Sequence, residues 1–213
     1  MIVRWPNVAT AGTVRHELVS TLDIFPTLLS VTDAKVNSDL AGRSLLPLLR
    51  DEPTAWREYL FTEYQTHSAH NYYPQRTVRG PRYKLIQNLL PDEENPGYAF
   101  TLRKFFPELP ATIDNARPEV RASYERMRAP PKFELYDLQN DPHEFHNLAE
   151  AEGFRDVRER LVSKLTTWQQ ETGDPMLLDA NVRRLQDEIQ ACYAEGTYDK
   201  SRLRLNYPEY FFE

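Results

Sequence analysis

Between residues 154 and 172, apolar side chains recur at steps of three and four: Phe154, Val157, Leu161, Leu165 and Trp168. Arg, Glu, Lys and Gln fill the intervening positions, so the pattern predicts an amphipathic helix packed on a sheet. Gly173-Asp174-Pro175 ends it. A further helix is expected over 181–194, using Val182, Leu185, Ile189 and Cys192 or Tyr193. Nearer the start, Asp23 is the expected N-cap of a helix whose apolar stripe is Ile24, Phe25, Leu28 and Leu29. Pro26 falls at its third helical position, where the missing N–H removes a donor that has no intrahelical partner anyway. Residues 42–50 read as a buried turn and short helix, and Asp51-Glu52-Pro53 as a surface break.

Other segments carry the period of strands. Residues 2–5 form an expected short strand closed by Pro6, which needs neighbours to pair its backbone. A polar loop around Gly12 follows over 7–18. Tyr59–Tyr64 is an aromatic-rich strand, and Arg76–Arg79 with Tyr83–Gln87 make a hairpin turned at Gly80-Pro81. Phe133–Asp137 is another strand. Residues 91–131 hold prolines and aromatics without a clear period. They are expected to be a long insertion with short helices near Leu102–Phe106 and Glu119–Met127. The chain contains no internal repeat and no low-complexity tract. Together the elements predict an α/β remnant joined near residue 55 to an α+β module, a small antiparallel sheet packed by a long amphipathic helix. The expected divisions are 1–55, 56–178 and a helical, aromatic extension at 179–213.

Composition narrows the function classes. The 213 residues are 40% hydrophobic, which suffices for a packed core. With 32 acidic and 26 basic residues the formal charge is −6, giving no electrostatic case for nucleic acid. No apolar run approaches the roughly 18 residues of a membrane span. The N-terminus lacks a signal peptide's apolar stretch and cleavage site, so the compartment is unassigned. Cys192 is the single cysteine, which excludes a disulfide within the chain.

Leu-Tyr-Asp-Leu-x-x-Asp-Pro-x-Glu-x-x-Asn-Leu-Ala occupies 135–149. Read from the residues alone, it is a turn: Asp137 and Asp141 flank it, Pro142 fixes the backbone, and Asn147 can bond local backbone groups. This segment also resembles the C-terminal signature of the sulfatase family, within the alkaline-phosphatase-like superfamily. Ile2-Val3-Arg4-Trp5-Pro6 is similar to the family strand after the last metal-site loop, and Leu18 to Leu29 to the helix that follows. Gly42-Arg43-Ser44-Leu45 with Pro47-Leu48-Leu49 fits the family's Gly-x-Ser-Leu-x-Pro-Leu-Leu element. Tyr72 to Arg79 and Trp168 to Pro175 resemble the sulfamidase (N-sulfoglucosamine sulfohydrolase) subgroup, and the resemblance covers roughly residues 1–178.

The resemblance implies an alkaline-phosphatase-like α/β fold for the first part and hydrolysis of a sulfuric ester or N-sulfate on a sulfated glycan. Sulfatases make their nucleophile by converting Cys or Ser in Cys/Ser-x-Pro-x-Arg to formylglycine, beside a divalent cation. Cys192 lies in Cys-Tyr-Ala-Glu-Gly, and no serine begins the motif. Asp114-Asn115 is out of order for the family's metal pair. The chain is therefore expected to hold no cofactor of its own. Calcium and formylglycine are implied for the full-length family enzyme, in a partner N-terminal sulfatase domain, and no catalytic or metal-ligating residue is assigned here. Met1 reads as an internal start, whether of a truncated gene, a split reading frame or a designed fragment.

Candidate substrate-binding residues are His67, His70, Tyr73 and Arg76. Arg and His can bind sulfate, Arg bidentately, and Tyr can lie against a sugar ring. The resemblance places their loop near the family's substrate pocket. A purely structural loop, with Arg76 or Arg79 in ion pairs to the missing N-terminal domain, is the alternative. Too few ligands surround His67 and His70 for a zinc site. His143 and His146 are expected to be solvated, and His16 is a lone loop histidine. Tyr98, Phe100, Phe105 and Phe106 are either a sugar-stacking wall or core. The rival functions are a stand-alone module binding sulfated glycans and a fragment of a related phosphoesterase.

Overall fold

The computed structural model describes residues 1–32, 39–66 and 72–194, together with Asn206 and Glu209. The chain divides into two units, Met1–Leu60 and Phe61–Glu213.

The first unit is built on short helices. A 3₁₀ turn over Thr21–Asp23 leads into α1 (Ile24–Leu29), and α2 spans Leu46–Leu49. Asp23 stands at the N-cap position of α1, with Pro26 third in the helix as expected, but its side chain caps no N–H of that helix. Ser20 caps this region with its hydroxyl on the Leu22 N–H, and the Asp23 carboxylate accepts back from the Ser20 N–H. Asp23 itself is fully buried and anchors the unit. It takes two hydrogen bonds of 2.6 Å from the Arg57 guanidinium and one of 2.8 Å from the Arg43 N–H. Burial pushes the Asp23 carboxyl up, but Arg57 and the two backbone donors outweigh it and hold the group below its ordinary value.

Thr27 continues the seam by accepting from the Leu45 N–H at 2.8 Å. These bonds draw the Gly42–Leu45 backbone onto the turn that opens α1. Gly42 comes so close that a Cβ there would lie 2.0 Å from the Leu22 carbonyl oxygen. The faces of α1 differ from expectation: Pro26 and Thr27 are buried, whereas Ile24, Phe25 and Leu28 are 44%, 57% and 53% exposed. Residues 2–5 form no strand, because nothing in this unit pairs with their backbone.

The second unit contains one four-stranded sheet in the order β1-β2-β3-β4. Its strands are β1 (Leu60–Tyr64), β2 (Gln75–Arg79), β3 (Tyr83–Asn88) and β4 (Phe133–Asp137). β2, β3 and β4 pair antiparallel, with Val78, Leu85 and Leu135 in one cross-strand row. All three are fully buried. This is the face on which α6 (Arg155–Glu171) packs, burying Leu161 and Leu165 at the predicted helical spacing. Each such leucine contributes roughly 1.5–3 kcal/mol by leaving water.

The insertion between β3 and β4 forms α3 (Pro96–Lys104), α4 (Leu109–Asp114) and α5 (Pro118–Arg128). It serves the opposite sheet face, where side chains alternate with those facing α6. Arg126 of α5 comes 3.4 Å from Glu134 and lies over the Tyr136 ring. Glu134 also accepts from the Tyr136 hydroxyl and from Asn88, all buried. The chain then continues from α6 through a tight turn at Gly173, in the left-handed region (φ +63°), into α7 (Asp179–Ala194).

Candidate functional site

The connection from β1 to β2 carries the residues expected to meet substrate. The Tyr73 N–H donates to the Gln65 carbonyl at 3.1 Å and closes this loop. His67 and His70 lie outside the described residues. Tyr73 and Arg76 are placed firmly, and both are turned inward.

Tyr73 is 2% exposed and donates its hydroxyl to the Leu90 carbonyl at 2.6 Å. Burial pushes its pKa above the ordinary tyrosine value. Arg76 is completely buried. Its Nε and Nη2 form a two-point bridge to Asp174, both bonds 2.7 Å, and Nη1 donates to the Gln75 carbonyl at 3.0 Å. Asp174 also accepts from Gln169 Nε2 at 3.0 Å and from the Met176 N–H at 3.1 Å. Burial raises the Asp174 carboxyl, but the Arg76 bonds prevail and keep it below its ordinary value. Arg76 therefore fastens β2 to the turn after α6 within this unit. Its Nη2 also lies 3.7 Å from the exposed Glu63 carboxylate.

Arg79 is exposed at the far end of β2. Arg82, across the hairpin turn, bridges Asp137 at 2.7 Å. The Arg82 bonds, against a smaller opposing effect of burial, hold the Asp137 carboxyl at about 2.

The signature at 135–149 locks the end of the sheet. Asn147 Oδ1 accepts from the Leu135 N–H at 2.9 Å and from the Ala149 N–H at 3.0 Å, while Nδ2 donates to the Phe133 carbonyl at 3.2 Å. Asp141 accepts from the His146 N–H at 2.7 Å. Glu144 sits in the left-handed region (φ 59°) and pairs with Lys84 at 2.8 Å. His146 is exposed, as expected. Asn147→Ala strips partners from two backbone donors, one of them on the edge strand β4. It should lower stability by about 2 kcal/mol in urea unfolding, with an unchanged slope.

Sequence reading missed Asp174, Gln169 and Tyr72 as anchors. Asp174 looks like helix punctuation until its partner, 98 positions earlier, is seen beside it. Phe100 and Phe105 meet edge to face at 5.7 Å, with Phe105 and Phe106 more than half exposed.

Among the described residues the buried aspartates do not suit calcium, because Asp23, Asp137 and Asp174 are each committed to an arginine. Among the described residues no group of three or more His, Cys, Asp or Glu gathers as a metal site. No helix among them is long and apolar enough to cross a membrane.

Residues 1–101 match the family model for N-sulphoglucosamine sulphohydrolase, C-terminal. The human N-sulphoglucosamine sulphohydrolase is 33% identical over 183 residues, covering 77% of this chain and 34% of the human protein. An ulvan-active sulfatase of Formosa agariphila is 29% identical, covering 81% of this chain and 33% of its own length. Among solved structures, a candidate sulfatase of Bacteroides thetaiotaomicron superposes with a TM-score of 0.53 at 26% identity, over 76% of this chain and 27% of that one. The chain belongs to the sulfatase family. Within the sulfatases its sequence is of the sulfamidase type, and its fold is the alkaline-phosphatase-like α/β class with the antiparallel sheet described above. The chain spans about a third of the length of these curated sulfatases.

Proposed function

We propose that this chain is the C-terminal part of a sulfatase that cleaves a sulfuric ester or N-sulfate on a sulfated glycan. In this reading an N-terminal domain supplies the formylglycine nucleophile and the calcium, and the chain alone is inactive. The β1–β2 loop, with His67 and His70, approaches the substrate, while Tyr73 and Arg76 hold its base. The observation that carries the proposal is the similarity to N-sulphoglucosamine sulphohydrolase across 77% of the chain.

The surface of the first unit supports a partner domain. Of the 15 large apolar residues exposed among the described residues, nine fall within residues 1–31. They include Ile24, Phe25 and Leu28 on α1. A cleft of about 470 Å³ lined by Ile2, Val3, Val14, Val19, Leu48 and Leu49 lies in the same unit. Patches of this kind are characteristic of surfaces covered by another piece of protein.

The test is sulfate release from N-sulfated and 6-O-sulfated glucosamine. The complete reading frame that contains this chain should release sulfate from one of them. Residues 1–213 alone should release none above the buffer rate. Turnover by the isolated chain would overturn the proposal. Failure of the complete product on every sulfated sugar, with tight binding of heparin oligosaccharides by the chain, would favour a glycan-binding module.

A further inference from the structure

α1 is built the wrong way round for a helix in water. Asp23 at its N-cap, Pro26 and Thr27 are buried, while Ile24, Phe25 and Leu28 are exposed. Steps of one, three and four put these three apolar side chains on a common face. Leu22 before the helix and Val31 after it are exposed as well. Between Leu18 and Thr32 the one ionisable side chain is Asp23, which is fully buried. The outward face therefore has no charge of its own, whereas a solvated helix face carries charged and polar residues.

The helix cannot roll to bury that face. Asp23 is held by the Arg57 guanidinium and by the Arg43 and Ser20 N–H groups, and Thr27 by the Leu45 N–H. Turning the apolar side inward would break these bonds together and strip a buried carboxylate of its counter-charge, which is strongly destabilising. The polar seam thus fixes which side of α1 points out.

We infer that the outward face of α1, formed by Ile24, Phe25 and Leu28, is the seat on which an uncharged apolar surface of the N-terminal domain of the same polypeptide packs. The inference rests on the proposed function, which supplies that domain. The curated relatives extend well beyond the third of their length that they share with this chain. A sulfated sugar is a poor occupant, because these side chains offer an anion neither a cation nor a hydrogen-bond donor. A separate second copy is a poor occupant too. A stable contact between free proteins buries about 1,200–2,000 Å² in total, and three side chains on a six-residue helix present far less. A domain joined through the same chain needs no such area, because the tether holds it at an effective concentration of about millimolar.

Phe25→Asp together with Leu28→Lys tests the seat. An acid near the start of a helix and a base near its end suit the helix dipole, so α1 itself is spared. In the 213-residue chain the melting midpoint should move by less than about 2 °C, because neither side chain is buried there. In the product of the complete reading frame the pair should lower the midpoint by about 5 °C, because both charges then enter a dry contact. An equal drop in both proteins would overturn the inference, since it would place the two side chains in the unit's own packing. An unchanged midpoint in both would overturn it as well, since the face would then stay in water. A chain that sediments as a dimer, and as a monomer once substituted, while the complete product is indifferent, would give the face to a second copy and equally overturn the inference. None of these readings uses sulfate release. If the unsubstituted complete product hydrolysed no sulfated sugar yet showed the melting contrast, the proposed function would fall and the seat would stand. Sulfate release without the contrast would remove the seat alone.

Discussion

Asp174→Ala should lower the stability of the second unit by about 3–5 kcal/mol, the range observed when one member of a buried ion pair is removed. The bridge it breaks is almost dry: the Arg76 side chain is 0% exposed and that of Asp174 is 3% exposed. Removing the carboxylate leaves a buried guanidinium that cannot shed its proton with only the more distant Glu63, at 3.7 Å, as counter-charge. It also takes partners from Gln169 and from the Met176 N–H. Urea unfolding followed by Trp168 fluorescence, with Trp5 and Trp56 replaced by Phe, reads this unit alone. Replacing Arg76 by Met together with Asp174 by Leu should recover much of the loss, because an apolar pair leaves no buried charge. A loss below 1 kcal/mol for Asp174→Ala would mean that water reaches the bridge. The pH dependence has a definite sign. Asp174 is below its ordinary value when folded. Its contribution is therefore complete above the unfolded carboxylate pKa and disappears as pH falls through the lower folded one. Near neutrality the variant and the parent should differ by a constant amount, and in acid the gap should close.

Gly42→Ala should be nearly as damaging in the first unit, costing about 3 kcal/mol, at the upper end of ordinary overpacking. The added methyl would sit 2.0 Å from the Leu22 carbonyl oxygen and 2.5 Å from its carbon. Both are backbone atoms, so no side chain can swing aside. The surroundings cannot yield easily either. The Arg43 N–H is bonded to Asp23 and the Leu45 N–H to Thr27, each at 2.8 Å. Relief of the clash must break one of these buried bonds. With Trp168 replaced by Phe, the fluorescence of Trp5 and Trp56 should show a lowered midpoint for this unit. An unchanged midpoint would show that the turn before α1 can move freely. The glycine in the Gly-x-Ser-Leu element thus has a packing explanation: it is where one backbone presses on another.

These two sites show what a single sequence displays and what it conceals. β4 was legible to the residue over Phe133–Asp137, and α6 nearly so, because a strand or helix with one buried face writes its period locally. The hairpin was legible because Gly80-Pro81 separates two short runs that alternate polar and apolar or aromatic residues. Residues 2–5 have the composition of a strand, yet a strand exists only where another backbone meets it, and the sequence does not carry that meeting. Asp23 and Asp174 stand at a helix start and a helix stop, so local rules read both as punctuation. Their real partners, Arg57 and Arg76, are 34 and 98 positions away. Arg76 was singled out for the right chemistry, two-point binding of an oxyanion, but the oxyanion it binds here belongs to the chain itself. His67 and His70 keep the role assigned to them by resemblance alone.

The bond from Tyr72 to Val182 joins residues 110 positions apart. During synthesis the arm leading into β2 emerges from the ribosome long before the helix that fastens it. Until then the hairpin must persist without its clasp, its apolar side open to chaperones and to other nascent copies. Assembly of this unit therefore waits for α7 to dock, and a ribosome that stops short of residue 182 leaves a product in which Tyr72 has no Val182 carbonyl to meet.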